Sequence, residues 1–339
     1  MRFELFQDAA DGDDRALDDL DTVLRRVEMG VHELVFDDPA AIEQSRWFRS
    51  LRPHSQQLIR LLIEAQVWPV SGRPSRIFIR NSRDASMARD AASSPLVILV
   101  ENDASDGSLV IAAVLAHASA ETIRVWDSGS RAAPPGWLIE SCGGTGEMPR
   151  RIREHGADKR RVIIVCDSDR YLPNAAPKST VKNCEDAARA SKLRAPLILP
   201  LREAENYLPN LFWELWLDED RARVGYNEVI EALKALTSDQ RDHIDMSGDV
   251  RLVAGPAGPL FDGTDVNNPA PERKHLNALI GLKKNLKGSG KDPKTGKSRM
   301  PIRHLAEFVR SRRVTAADLD QRDRAATLKE LVQIIAEEL

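Results

Sequence analysis

The sequence predicts an α/β protein, a parallel sheet with helices on both faces, flanked by mainly helical N- and C-terminal segments. Three observations carry this. Between residues 95 and 217, short apolar runs alternate with stretches of helical spacing. The runs "LVILV", "VIIV" and "LIL" are continuous rather than alternating, as expected of strands buried on both faces. Outside that stretch, apolar residues recur mostly at three- and four-residue intervals, the mark of amphipathic helices.

Residues 1–94 read as a helical accessory or partner-binding module. Ala16, Leu17, Leu20, Val23, Leu24 and Val27 keep helical spacing, as do Leu58, Leu61, Leu62 and Ala65. "RIFIR" (76–80) is a short strand candidate, and the polar "RNSRDASMARDAASSP" (80–95) reads as a linker. The core, 95–217, then runs in order. "LVILVE" (96–101) is a strand, 106–120 a helix, and "TIRVW" (122–126) a strand. A glycine loop, "SCGGTGEM", leads to a short helix over 146–156 with Gly156 as its C-cap. "RVIIVCD" is a strand, 179–192 a helix, "APLILPL" (195–201) a strand and 205–217 a helix. The C-terminal region, 218–339, is read as mainly helical, with helical spacing over 226–246 and 315–338. Between these lies a Gly/Pro/Lys-rich stretch, 255–300, and the basic loop 283–303. No internal repeat is evident.

Bulk properties narrow the function classes. A chain of 339 residues, 42% hydrophobic and 30% charged, suits two domains, or one large domain with an accessory module. The net charge of −3 excludes a generic polyanion binder, so nucleic-acid affinity would need local basic patches or bound cations. No apolar run approaches a membrane span, and the acidic start lacks the apolar core of a signal peptide. Cys142, Cys166 and Cys184 are too widely spaced for a CxxC metal site or a disulfide framework. The expected compartment is the cytoplasm.

Carboxylates stand where an open parallel sheet binds ligands, beyond the carboxyl ends of its strands. Glu101 ends the first core strand, Asp167 ends the third, and Asp169 follows one residue later. Alternate residues of an extended segment point the same way, about 6–7 Å apart, so Asp167 and Asp169 can face one point. Like charges at the mouth of a buried sheet repel and lose hydration, and a divalent cation relieves both penalties. A local role stands beside this, with Asp169 capping a following turn or Asp167 forming an Asx-turn.

The order of parts resembles the TOPRIM domain, the catalytic fold shared by topoisomerases, primases and OLD-type nucleases. The strand with Glu101, Asp106 opening a helix, the loop "SCGGTGEM", "RVIIVCDSD" and "LPLREAENYLPNLFW" follow one another as in that family. "REAENYL" is similar to the R-E-I-E-N-Y-L run of nuclease-type TOPRIM proteins, including those of bacterial anti-phage systems. The resemblance covers about residues 95–217. Asn102 stands where the family often has Gly, and Thr145 where its loop usually carries Lys.

The resemblance implies a Mg²⁺- or Mn²⁺-dependent nuclease with two ions. Glu101 would bind metal or act as general base, Asp167 and Asp169 would hold metal, Asp106 could add a ligand, and Glu205 with Glu203 could serve a second ion. Gly143 and Gly144 would approach the substrate. Plainer roles remain open: Asp106 as an N-cap, Glu203 or Glu205 favouring a helix start, Gly143 and Gly144 making a turn, and Tyr207, Leu208 and Trp213 as core.

Other motifs fail. "GKDPKTGKS" (290–298) has five residues between its glycines where an ATP-binding P-loop needs four, and no buried strand leads into it. The ATPase half of OLD-type nucleases is thus expected as a separate ATPase or sensor subunit, if present. A HAD phosphatase would want Thr or Val where Tyr171 stands, and the seven histidines form no HxH or HExxH cluster for a zinc hydrolase. Lys283, Lys284 and Lys287 begin the densest basic stretch and are the candidates for gripping nucleic-acid phosphates, with a solvated surface loop as the alternative. The N-terminal module would meet a protein partner or a second copy in a homodimer. From another class, the rival function is a catalytically silent TOPRIM-like binding or assembly subunit of a defence or DNA-processing complex.

Overall fold

The computed structural model describes residues 1–66, 76–144, 146–219, 226–244, 246, 258–280 and 301–339. Two parallel sheets organise these residues. The first contains β1 (Arg2–Leu5), β2 (Glu33–Phe36) and β3 (Arg76–Ile79) in the order β2-β1-β3. β1 is central and buried along its length, with Phe3 paired to Leu34 on one side and to Ile77 on the other. The second contains β4 (Leu96–Val100), β5 (Trp137–Ser141), β6 (Val162–Asp167) and β7 (Leu197–Leu199) in the order β5-β4-β6-β7, all parallel. The mixed α/β class with parallel sheet is therefore observed.

The continuous apolar runs have the expected cause. All five residues of β4 are fully buried. Leu96, Ile98, Val100, Ile163 and Val165 share one apolar cluster with the helices Asp106–His117, Leu305–Arg310 and Thr327–Glu338. Val97, Leu99, Ile164 and Cys166 face the other way, against the helices Met148–Ala157 and Ser179–Ala190. The C-terminal region is helical among its described residues, and it completes the core of the second sheet rather than standing apart.

Four local expectations are corrected. The N-terminal segment is not simply helical, because its helices cover a three-stranded sheet whose strands are only four residues long and carry little periodic signal. The expected linker is the helix Ser82–Ser93. Asn81 caps it by accepting from the Asp84 N–H at 3.0 Å, and Ala85, Ala88 and Ala92 form a small buried face toward the helix Asp14–Glu28. "TIRVW" is not a strand. Ser119 accepts from the Thr122 N–H at 3.1 Å and starts the helix Ala120–Arg131, and the neighbour of β4 is β5 instead. Gly156 lies inside its helix, where a Cβ would come within 2.5 Å of Ser191 Cβ, so it permits close helix packing rather than ending the helix. In addition, the helix expected over 205–217 is broken at Pro209 into a 3₁₀ turn, Ala204–Tyr207, and the helix Asn210–Asp218.

A tight seam joins the two sheets. The buried Arg26 guanidinium donates to the carbonyls of Ala92 at 3.1 Å, Pro134 at 2.6 Å and Pro135 at 3.4 Å. Arg161 donates to the Ser94 carbonyl at 3.2 Å. A Cβ at Gly136 would lie 2.7 Å from Val31 Cγ1 and 3.0 Å from Gly129 Cα, so glycine leaves the room that the Val31 side chain and the Gly129 backbone occupy. Arg26→Ala would take the guanidinium from three carbonyls, of which Ala92 keeps a second donor in His32 Nε2 at 3.1 Å. It is expected to cost about 1–3 kcal/mol, read as a lower urea midpoint, and an unchanged midpoint would show that this clasp contributes nothing.

Candidate functional site

β4 and β6 are neighbours and parallel, so their carboxyl ends emerge side by side. Asp167 is the last residue of β6, and Glu101 directly follows β4. The Asp167 Oδ1 is sealed from solvent and has no hydrogen-bond partner among the described residues. Its carboxyl is pushed well above the ordinary carboxylate range, first by burial and then by the charges of Asp106, Glu205, Glu203 and Glu101. Five of the six acidic residues named from the sequence therefore act on one another at this point.

Asp106 opens the helix Asp106–His117 and is buried. Its Oδ2 accepts from the Asn102 N–H and its Oδ1 from the Ser105 hydroxyl, each at 2.9 Å. The carboxylate folds back to brace the loop after β4, a structural duty that leaves it in the acidic cluster. Burial raises it to about 6, with the Glu101 charge adding to the effect and those two hydrogen bonds opposing it. Glu203 and Glu205 sit on the turn after β7. Glu203 is buried, its N–H donating to Asn206 Oδ1 at 2.9 Å, and Arg202 Nε lies 3.8 Å from its carboxylate.

Asp169 is placed differently. The chain leaves the extended conformation at the end of β6, and Asp169 adopts φ of +53°. The alternation that would aim it beside Asp167 holds only within a strand. Its carboxylate is held by Lys178 at 2.9 Å, and it is not among the foremost charges that raise Asp167. Gly143 and Gly144 have φ of +74° and +126°, and a Cβ at either would meet nothing within 4 Å. Their need for glycine is thus conformational, an open turn with room above it. Lys283, Lys284 and Lys287 lie outside the described residues. Tyr207, Leu208 and Trp213 are fully buried core.

Several residues at this site were passed over in the sequence. Ser168, wholly buried, donates to the Leu201 carbonyl at 3.0 Å, and the Asp169 N–H donates to the Arg202 carbonyl at 3.2 Å. These bonds tie the loop after β6 to the loop after β7. Arg202 lies over the Tyr171 ring at 4.2 Å. Lys178 had no signal, because nine residues and a turn separate it from its partner. A cavity of about 380 Å³ lies elsewhere, at the seam, lined by His32, Glu33, Ser119, Glu121 and Gln333, and its lining includes none of the six candidate site carboxylates.

The donor chemistry suits a hard divalent cation. The converging groups offer only oxygen atoms, one of them buried and unpartnered, and their mutual repulsion is what a cation would offset. Among the described residues no three His, Cys, Asp or Glu side chains already form a closed ligand set. The carboxylates are within electrostatic reach of one another and not drawn together.

Both raised acids hold protons more tightly in the folded than in the unfolded chain. The stability they contribute is full below their ordinary value of 3.8 and is lost as pH rises through about 6 for Asp106, and through the raised value of Asp167. The metal-free protein should therefore melt at lower temperature at about pH 8 than at about pH 5. Asp167→Asn should raise the midpoint at about pH 8 by roughly 2–4 °C and converge on wild type in acid. A lower midpoint for the variant at both pH values would mean that the carboxyl supports the fold. No protein-family model matches the sequence, and neither a curated protein nor a solved structure matches it.

Proposed function

We propose that the chain is a Mg²⁺- or Mn²⁺-dependent nuclease with a TOPRIM-like core, hydrolysing phosphodiester bonds of DNA or RNA. The observation that supports this most is the unpartnered, sealed Oδ1 of Asp167 in the field of four other carboxylates at the ends of two adjacent parallel strands. Asp167, Glu101 and Asp106 would hold one ion, with Glu203 and Glu205 serving a second. Bound divalent cations supply an activated water and stabilise charge on the phosphodiester oxygens.

The chain's own residues do the rest. Burial and the neighbouring charges favour the protonated form of the Asp167 carboxyl in the metal-free protein, so cation binding there would be coupled to proton release. Glu101, only partly buried, would hold the ion or, in the other role, accept a proton from the attacking water. Lys178 pairs with Asp169 and so offsets the charge of a sixth carboxylate. Gly143 and Gly144 leave the backbone open to a phosphate. The lysines at 283, 284 and 287 would grip the nucleic-acid backbone. The setting is that of an effector of bacterial anti-phage defence, acting in the cytoplasm, as a homodimer or with a separate ATPase or sensor subunit. No helix among the described residues is long and apolar enough to cross a membrane.

A second reading has its own support. The carboxylates do not form a closed ligand set, and Asp169 is engaged by Lys178, as suits a silent binding or assembly subunit. Incubation of the pure chain with plasmid, single-stranded DNA and tRNA in Mn²⁺ separates the two. Cleavage is expected, and Asp167→Ala or Glu205→Gln should reduce it by at least ~10²-fold, the upper end of what even outer-shell losses at metal sites cost. Binding without cleavage would establish the silent subunit. Changing Lys283, Lys284 and Lys287 together to Gln should weaken binding of all sequences alike and lower the salt slope by about 0.9 per lost phosphate contact. An unchanged slope would remove these lysines from the interface.

A further inference from the structure

Glu205 lies on a four-residue 3₁₀ turn, Ala204–Tyr207, and Glu203 caps its start; the element is too short to hold its own geometry. What holds it is supplied from far along the chain. The Asp242 carboxylate, 3% exposed, receives Arg322 Nη2 at 2.5 Å and a second, short contact from Arg324. The same Arg322 uses its Nε to donate to the Asn206 carbonyl at 3.1 Å. Asn206, fully buried, donates through Nδ2 to the carbonyls of Arg241 at 2.8 Å and Ile244 at 3.1 Å, and its Oδ1 accepts from the Glu203 N–H. The Arg202 N–H donates to the Asp242 carbonyl at 3.0 Å. His243 Nδ1 donates to the Arg170 carbonyl at 3.2 Å, in the loop that follows Asp167.

Each end of the segment carrying Glu203 and Glu205 is thus bonded to residues 241–244, and Arg322 locks those residues to Asn206. We propose that Asp242 and Arg322 are positioning residues for the acidic site: their fork fixes the turn that presents Glu203 and Glu205 toward Asp167. This rests on the cation-holding reading of that site. Arg322 bridges two elements with one planar guanidinium, which neither a lysine nor a glutamine can reproduce. Arg324 gives the internal contrast. It also pairs with Asp242, yet it is 56% exposed and makes no contact with the turn.

The test is Mn²⁺ affinity of the full chain, measured by calorimetry and by the EPR signal of free Mn²⁺, alongside thermal midpoints. Wild type should bind Mn²⁺. Arg322→Gln and Asp242→Asn should weaken binding about tenfold or more, the usual cost of losing an outer-shell partner, while Arg324→Gln binds as wild type. If Arg322→Gln does not fold, Arg322→Lys takes its place. It keeps a charge beside Asp242, loses the fork to Asn206, and should still bind Mn²⁺ several-fold more weakly. Equal losses in Arg322→Gln and Arg324→Gln would mean that charge near Asp242 matters and the fork does not, which overturns the proposal. Wild-type affinity in Arg322→Gln, or in Arg322→Lys where that variant stands in, overturns it too and leaves the site itself intact. A wild-type chain that binds no Mn²⁺ removes the cation-holding reading and this proposal with it.

Discussion

Asp167 ends a strand whose first five residues are buried, so its carboxyl is fixed at the rim of an apolar layer and cannot retreat into water. Four other carboxylates act on it there. Placing such a group at such a point opposes folding, since burial disfavours its charge and neighbours of the same sign disfavour it further. The surrounding architecture answers that cost. Asp106 is given two hydrogen-bond donors, Asp169 is handed to Lys178, and the turn bearing Glu203 is stitched down through Asn206. What is not answered is the Oδ1 of Asp167 itself.

The pattern of bonds explains why the C-terminal region belongs to the same body as the strands. Its apolar residues share a cluster with β4, β6 and β7, and its polar residues, Asp242 and Arg322 above all, hold the segment that follows the carboxyl end of β7. Apolar packing provides the cohesion, and buried ionic contacts provide the register. The second contribution is weak in net energy and strong in geometry, which suits a part of the molecule whose task is to keep acidic groups from drifting apart.

Much of this was legible in the sequence, for definite reasons. β4 and β6 announce themselves because both faces are covered, which forces four or five consecutive apolar residues. Glu101 and Asp167 follow from them, since they stand where those runs stop. β5 was hidden because it is a sheet edge, half-buried throughout, and admits Glu140 and Ser141. "TIRVW" misled because its β-branched and aromatic residues outweigh, locally, a serine cap three residues before it. The reading of Asp169 extended the two-residue alternation one step past the strand end, where the backbone turns to φ of +53°. The fork of Arg322 could not be seen at all. An ion pair across eighty positions leaves no periodicity, and nothing in "DHIDM" or "QRDR" distinguishes it from surface charge.

The seam at Arg26 bears on how the first sheet can communicate with the second. The stretch between them, 80–95, is mostly helix, and Arg26 grips Ala92 at its end together with Pro134 and Pro135 just before β5. There is accordingly no tether on which the N-terminal part could swing. A displacement of it has to pull on the start of β5, and β5 runs straight into the glycine turn at 143–144. Any message arriving at the first sheet thus travels as strain along a five-residue rod, and its point of delivery is a glycine turn with free space above it.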